Sequence, residues 1–287
     1  MRFYLNGQIL ESSEAKVSVL DHGFTVGDGV FETLKITDGK CFALERHLVR
    51  LKNSAAGMGL SCPDAEHIRA AVSQTLAAND VLPLGRLRIT LTSGNGPLGS
   101  DRVDGQPTLA VTLSSQNEWP PFTSAVLVPW VKNERSSLTG LKTTSYGENV
   151  VALELAHKLN FSEALQCDTQ GRLSEGTGSN IFLVNDGELY TPALSAGLLA
   201  GITRDLVLDI AAELGIVVNV QDLDADFLFN AQEAFLTSST RDVHPISRLG
   251  KTDAKGNLEI DISLSVHDVT NNIATCFKKL DLQEQKV

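Results

Sequence analysis

Hydrophobic and polar positions change rhythm several times along this chain, and each change predicts an element. Phe3 to Leu10 runs apolar around Asn6-Gly7, a pair suited to tight turns, and so predicts a hairpin. Gly29 to Thr37 is the next predicted strand, and Gly39 turns it into a short one over Cys41 to Leu44. Leu44, Leu48, Leu51, Ala55 and Met58 then recur at steps of four and three, the stripe of an amphipathic helix ending near Gly59. A second, more polar helix is predicted over Asp64 to Ala78, followed by strands at Arg86 to Thr92 and Thr108 to Leu113.

Residues 114–123 read SSQNEWPPFT, and Pro120-Pro121 continues neither a helix nor a central strand. A linker is placed there, dividing the chain into a small α+β domain over 1–118 and a larger α+β domain over 119–287 that carries Lys142. Beyond it the pattern predicts a strand over Ala125 to Trp130 and a helix over Glu148 to Leu159, with Val151, Leu153, Leu155 and Ala156 inward. Strands Ala164 to Asp168, Ile181 to Val184 and Glu188 to Thr191 form a meander, interrupted by the turn-rich tract Ser174-Glu-Gly-Thr-Gly-Ser-Asn180. A helix over Thr203 to Leu214 presents Leu206, Val207, Ile210 and Leu214 on one side. Strands at Ile216 to Val220, Ala234 to Thr237 and Val243 to Leu249 follow, and a last helix covers Ser263 to Leu280.

A length of 287 residues suits two domains. Hydrophobic residues at 42% and charged residues at 21% exclude disordered, collagen-like and coiled-coil chains. With 35 acidic against 24 basic residues the net charge is -11, a field that repels nucleic acid and anionic membranes but leaves room for a local basic pocket. The four cysteines are scattered, which argues against a disulfide framework or structural zinc and for a reducing compartment. The N-terminus lacks a signal-peptide pattern and no apolar run reaches about 18 residues, so a cytoplasmic location is expected.

Gly94-Asn-Gly-Pro-Leu-Gly99 spells a dinucleotide fingerprint, but Pro97, Asp101, Asp104 and Gly105 prolong a loop where a helix would have to open. Gly140-Leu-Lys-Thr-Thr144 resembles the tail of a P-loop with Leu141 in place of a glycine. No G-x-S-x-G elbow is present and no two histidines sit at helical ligand spacing, so no metal is expected. What remains suits a small phosphorylated ligand. Gly201-Ile-Thr203 opens a helix whose N–H groups attract an anion, although Thr203 is equally a plain N-cap. Thr237-Ser-Ser-Thr240 is either a second cradle or a polar turn, and Arg50 is either aimed at a phosphate or a solvated flank. Lys142 lies among Gly, Leu, Thr, Ser and Tyr with no acid close in sequence, a setting compatible with a Schiff-base nucleophile.

Taken together, six stretches resemble the fold type IV pyridoxal-phosphate enzymes, the class IV aminotransferases: Gly27-Asp-Gly-Val-Phe-Glu-Thr33, Glu45-Arg-His-Leu-Val-Arg-Leu51, Leu141-Lys-Thr-Thr-Ser-Tyr146, Leu173-Ser-Glu-Gly-Thr-Gly-Ser-Asn-Ile-Phe182, Gly201-Ile-Thr-Arg204 and Leu236-Thr-Ser-Ser-Thr240. The resemblance covers essentially the whole chain in order. It implies a two-domain α+β fold with pyridoxal 5′-phosphate between the domains, and ping-pong transfer of an amino group from an amino acid or amine to a 2-keto acid. On it, Lys142 is the lysine that joins the cofactor, Tyr146 supports the phenolic oxygen, and Glu175 pairs with the ring nitrogen. Arg50, Ile202, Thr203, Ser238 and Ser239 form the phosphate cup, and Asn180 fixes the loop under the ring. A homodimer is implied because a partner's loop closes the site in that fold.

Substrate positions depart from the family's patterns. Pro97-Leu-Gly-Ser100 lacks the Arg-x-His of the D-amino acid enzymes, and Arg86-Leu-Arg88 stands where branched-chain enzymes carry Tyr-x-Arg. Arg86, Arg88 or the amides of Ser239 and Thr240 are candidates for a substrate carboxylate, with a surface role for Arg86 as the alternative; Phe31 either faces the substrate or belongs to the core. An aminodeoxychorismate lyase on the same scaffold and a non-catalytic binding protein are the rival readings.

Overall fold

A computed structural model of the chain describes residues 1–103, 105–265 and 267–284. Its contacts divide it into two compact units, Met1–Glu118 with Leu141–Tyr146, and Trp119–Gly140 with Gly147–Gln283. The Lys142 segment, in sequence inside the expected second domain, thus packs with the first unit.

The first unit contains β1 (Arg2–Leu5), β2 (Gln8–Glu11), α1 (His22–Thr25), β3 (Gly29–Thr37), β4 (Lys40–Cys41), α2 (Leu44–Gly57), α3 (Ala65–Ala77), β5 (Leu84–Thr92) and β6 (Thr108–Ser115). The strands form one sheet in the order β2-β1-β6-β5-β3-β4. Asn6 and Gly7 both take positive φ, 47° and 91°, the hairpin geometry that their residue types favour. Leu34, Ile36, Leu87 and Ile89 pack on Leu48, Leu51, Ile68 and Val72, so the two long helices cover one sheet face. The short strand expected over Cys41 to Leu44 shrinks to Lys40–Cys41, because Ala43 in left-handed geometry already starts α2.

β3 is buried on both faces, and its free edge near Gly29 is completed by the Lys142 segment. Phe31 N–H donates to Lys142 O at 3.0 Å, Thr144 N–H donates to Gly29 O at 2.8 Å, and Val30 bridges Thr143. An open strand edge carries unmet backbone groups, and here they fix the backbone on either side of Lys142.

The second unit contains β7 (Thr123–Leu127), α4 (Gly147–Lys158), β8 (Glu163–Cys167), β9 (Leu173–Gly176), β10 (Asn180–Asn185), β11 (Glu188–Pro192), α5 (Ile202–Glu213), β12 (Val218–Gln221), α6 (Ala225–Phe229), β13 (Glu233–Ser238), β14 (Asp242–Thr252), β15 (Leu258–Ser263) and α7 (Asp268–Glu284). Its mixed sheet runs β12-β11-β10-β13-β14-β7-β8-β9, with β15 added on β14. Four sequence expectations change here. The first strand ends at Leu127 rather than Trp130. α4 buries Ala152 and Ala156, small residues that allow close approach, and leaves Val151 exposed. Leu214 is exposed at the C-cap of α5. The last helix starts at Asp268 because Leu258–Ser263 forms β15, whose apolar residues alternate with Glu259 and Asp261. Asp104 and Val266 lie outside the described residues. No helix among the described residues is long and apolar enough to cross a membrane.

Candidate active site

In the first unit, alternation along β3 sends Glu32 toward α2 with Val30 and Leu34, and Phe31 to the opposite face. Glu32 is fully buried, yet both its oxygens are met: Arg50 Nε and Nη2 donate to Oε1 and Oε2 at 2.7 Å, and His47 Nδ1–H donates to Oε2 at 2.7 Å. Burial would raise the Glu32 carboxyl, but the hydrogen bonds and charges of Arg50 and His47 outweigh it and hold it down at about 2. Burial, aided by the cations Arg50 and Lys142, pushes His47 below its ordinary value against the pull of Glu32. Arg50 is therefore neither a solvated flank nor mobile, since its plane is set by a buried carboxylate.

On the other face the Phe31 ring collects two cations. Arg88 Cζ stands 3.7 Å from its centroid and Lys142 Nζ stands 4.6 Å from it, while Tyr146 meets the same ring edge-on at 5.1 Å. Phe31, Arg88, Lys142 and Tyr146 are thus brought together within one unit. Burial pushes the Arg88 guanidinium down, and Tyr146 opposes this. Arg86 shares that sheet face but is exposed, opposite Lys35 and Ser114 in register.

In the second unit the expected turn tract is partly strand: Ser174, Glu175 and Gly176 belong to β9. Glu175 is buried, and its Oε2 accepts from Leu199 N–H at 3.0 Å and from Asn180 Nδ2 at 3.2 Å. Its Oε1 accepts from Lys132 Nζ in an ion pair. Asn180 also donates to Leu199 O at 2.9 Å and faces Thr237 in the β10–β13 ladder. Gly201, not Thr203, occupies the N-cap of α5 and makes no side-chain cap, so Thr203 is not the plain N-cap that its residue type permits. A Cβ on Gly201 would collide with Asn180 Oδ1. The hydroxyls of Thr203 and Thr237 are buried with no hydrogen-bond partner among the described residues. Ile202 is buried beside Thr203 in the uncapped first turn. Ser238 ends β13 and its Oγ accepts from Arg241 N–H at 3.2 Å, Ser239 begins the turn, and Thr240 O accepts from Trp119 Nε1 at 2.7 Å. Uncapped helix amides, two orphaned buried hydroxyls and a glycine with no room for a side chain fit an anion such as a phosphate.

Several contributors escaped the sequence reading. Glu32 and His47 orient Arg50, and their signal was a carboxylate on the apolar face of β3 with a histidine one helical turn before Arg50. Glu163 anchors the β9–β10 turn by accepting from Thr177 N–H at 3.1 Å, Thr177 Oγ1 at 2.5 Å and Ser179 Oγ at 2.9 Å. Lys132 lies far from Glu175 in sequence and had no local signal.

A six-stranded sheet under two helices and a second, mixed sheet make an α+β fold, which likeness to solved structures identifies as type IV. The sequence pattern of the amino-transferase class IV family matches residues 29–249, and the chain belongs to that family of pyridoxal-phosphate enzymes. A Methanocaldococcus jannaschii protein named as a branched-chain-amino-acid aminotransferase is 35% identical over 254 residues, covering 86% of this chain and 87% of its own. A D-alanine aminotransferase of Staphylococcus aureus is 30% identical over 255 residues, covering 86% and 89%. The crystal structure of a branched-chain aminotransferase from Thermoproteus uzoniensis with norvaline superposes with a TM-score of 0.90 at 29% identity, over 99% of this chain and 95% of that one.

Proposed function

We propose that the chain moves an amino group between an amino acid or amine and a 2-keto acid in two half-reactions, with pyridoxal 5′-phosphate joined to Lys142. The supporting observation is the ring that Arg88 and Lys142 share, at 3.7 and 4.6 Å from the Phe31 centroid. A guanidinium that receives a carboxylate and an amine that reacts at the neighbouring carbon are the two groups an amino acid requires.

When bound, the cofactor supplies an electrophilic carbonyl carbon and a protonated ring that takes up the electrons released at substrate Cα. Lys142 would hold the cofactor at that carbon, and its amine, freed by the incoming substrate, would carry the proton at substrate Cα. Tyr146 would donate toward the phenolic oxygen. Glu175, held by Asn180 and Leu199 N–H, would pair with the ring nitrogen. The amides of Ile202 and Thr203, with Ser238 and Ser239, would hold the phosphate, a role that the family resemblance also gives to Arg50. Phe31, Arg86, Arg88 and the Thr240 amide serve the substrate, with Arg88 receiving its carboxylate.

The chain is taken to act as a cytoplasmic homodimer. Its four cysteines are free, and the exposed apolar residues Val19 and Phe24 in the first unit suit a second copy. Reconstituted protein given L-leucine, D-alanine or an (R)-amine is expected to release the corresponding carbonyl compound, with the amine passed on only when a 2-keto acid is added. Pyruvate released from aminodeoxychorismate with no acceptor present would contradict this and favour the lyase.

A further inference from the structure

Glu175 is the carboxylate that the proposed function sets against a cationic ring nitrogen, yet it already holds a cation. Its two oxygens are divided: Oε2 takes Asn180 Nδ2 and the Leu199 amide, and Oε1 takes Lys132 Nζ. Oε1, with one donor, is therefore the oxygen with room for a further cation beside Lys132.

The backbone brings Lys132 there. Lys132 N–H donates to Cys167 O at 2.8 Å, and the residue bridges Asp168, which anchors its Cα beside the β8–β9 hairpin. Asp168, the nearer carboxylate along the bridge, is unavailable to it: Arg172 Nε donates to Asp168 Oδ2 at 2.6 Å, and the amides of Gln170 and Arg172 donate to Oδ1 at 2.9 Å. Glu134, two residues further on, is held by Thr169 at 2.8 and 2.9 Å. Glu175 is 9% exposed at its side chain, where an uncompensated charge is costly, while Lys132 at 26% retains a route to water.

We propose that Lys132 is a positioning residue that holds Glu175 as its counter-cation before the cofactor arrives and then competes with the ring nitrogen for Oε1, so that it sets how strongly the site selects a cationic ring. This rests on the functional reading above. Each cation weakens the other's hold on the shared oxygen, a negative coupling that is reciprocal.

The test compares pyridoxal 5′-phosphate with its 1-deaza analogue, which has carbon in place of the ring nitrogen and so has no cation to offer Glu175. Dissociation constants of both for the apoprotein are measured in the wild type, Lys132→Met, Lys132→Gln and Lys132→Arg. Removing the lysine charge is expected to tighten pyridoxal phosphate relative to the deaza compound by roughly tenfold, within the range shown by directly coupled neighbours. Lys132→Arg should stay near the wild-type ratio, and Glu175→Gln should abolish the effect of Lys132→Met. Lys132→Gln guards against a packing defect in the Met variant. A ratio unchanged by either neutral substitution, with both compounds moving together or not at all, overturns the proposal. Wild-type protein that binds neither compound overturns the functional reading and this inference with it.

Discussion

Arg88 and Lys142 meet on one aromatic ring, and that proximity makes Arg88 the arginine to test for carboxylate recognition. Arg88→Gln should raise KM for amino acid donors by about ten- to a hundredfold, the worth of a charge-assisted pair, and leave amine donors without a carboxylate nearly unaffected. Equal losses for both donor types would remove Arg88 from that role. On the helix face, the Glu32 carboxyl sits at about 2 against an ordinary 4.5. Its stabilisation is present above pH 4.5 and is lost as pH falls toward 2. His47 is lowered from 6.5, so the folded state favours its neutral form and stability begins to fall as pH drops below 6.5. Urea midpoints should thus decline on acidification, and Glu32→Gln should flatten the acidic part of that decline. The same substitution leaves Arg50 without its buried partner and should destabilise the protein by about 3 kcal/mol at neutral pH. Midpoints independent of pH between 7 and 4 would contradict this assignment. Lys142 and Glu175 stood out in the sequence as candidates because short ordered motifs surround them. Glu32, His47 and Lys132 were not, because their partners are brought to them by sheet register and by a long loop rather than by sequence neighbourhood.

Among the elements, α5 joins local sequence to site chemistry most directly. An N-cap glycine leaves the first-turn amides without a side-chain acceptor and brings Asn180 against the turn. Gly201→Ala should displace Asn180 from both Glu175 and Leu199 O, costing about 1–3 kcal/mol in folding and weakening cofactor binding together. Calorimetry of the apoprotein and a cofactor titration read the two effects; normal affinity in the variant would show that the Asn180 contact does not set the cradle. The long amphipathic α2 and the Asn6-Gly7 hairpin were legible because their patterns are strong and local. β15 was missed because half its positions are polar and it is joined to the sheet only through β14. In α4 the apolar count misled: the helix buries its alanines, not its valines.

Across the whole molecule, an acidic chain of net charge -11 gathers its cations at chosen places, Arg50 on Glu32, Lys132 on Glu175, and Arg88 with Lys142 on Phe31. The return of Leu141–Tyr146 to the first unit was not legible in the sequence, since hydropathy carries no sign of which strand edge a loop will complete. That return places Lys142 on the far face of β3 from the Glu32 network, with its carbonyl held by Phe31 N–H and the following Thr144 N–H held by Gly29 O. Reduction of the cofactor-loaded protein with borohydride followed by peptide mapping tests the central assignment. The reduced phosphopyridoxyl group should be found on Lys142 and nowhere else, and Lys142→Ala should carry no label and no visible absorbance band. Label on a different lysine, or undiminished absorbance in the Ala variant, would contradict it.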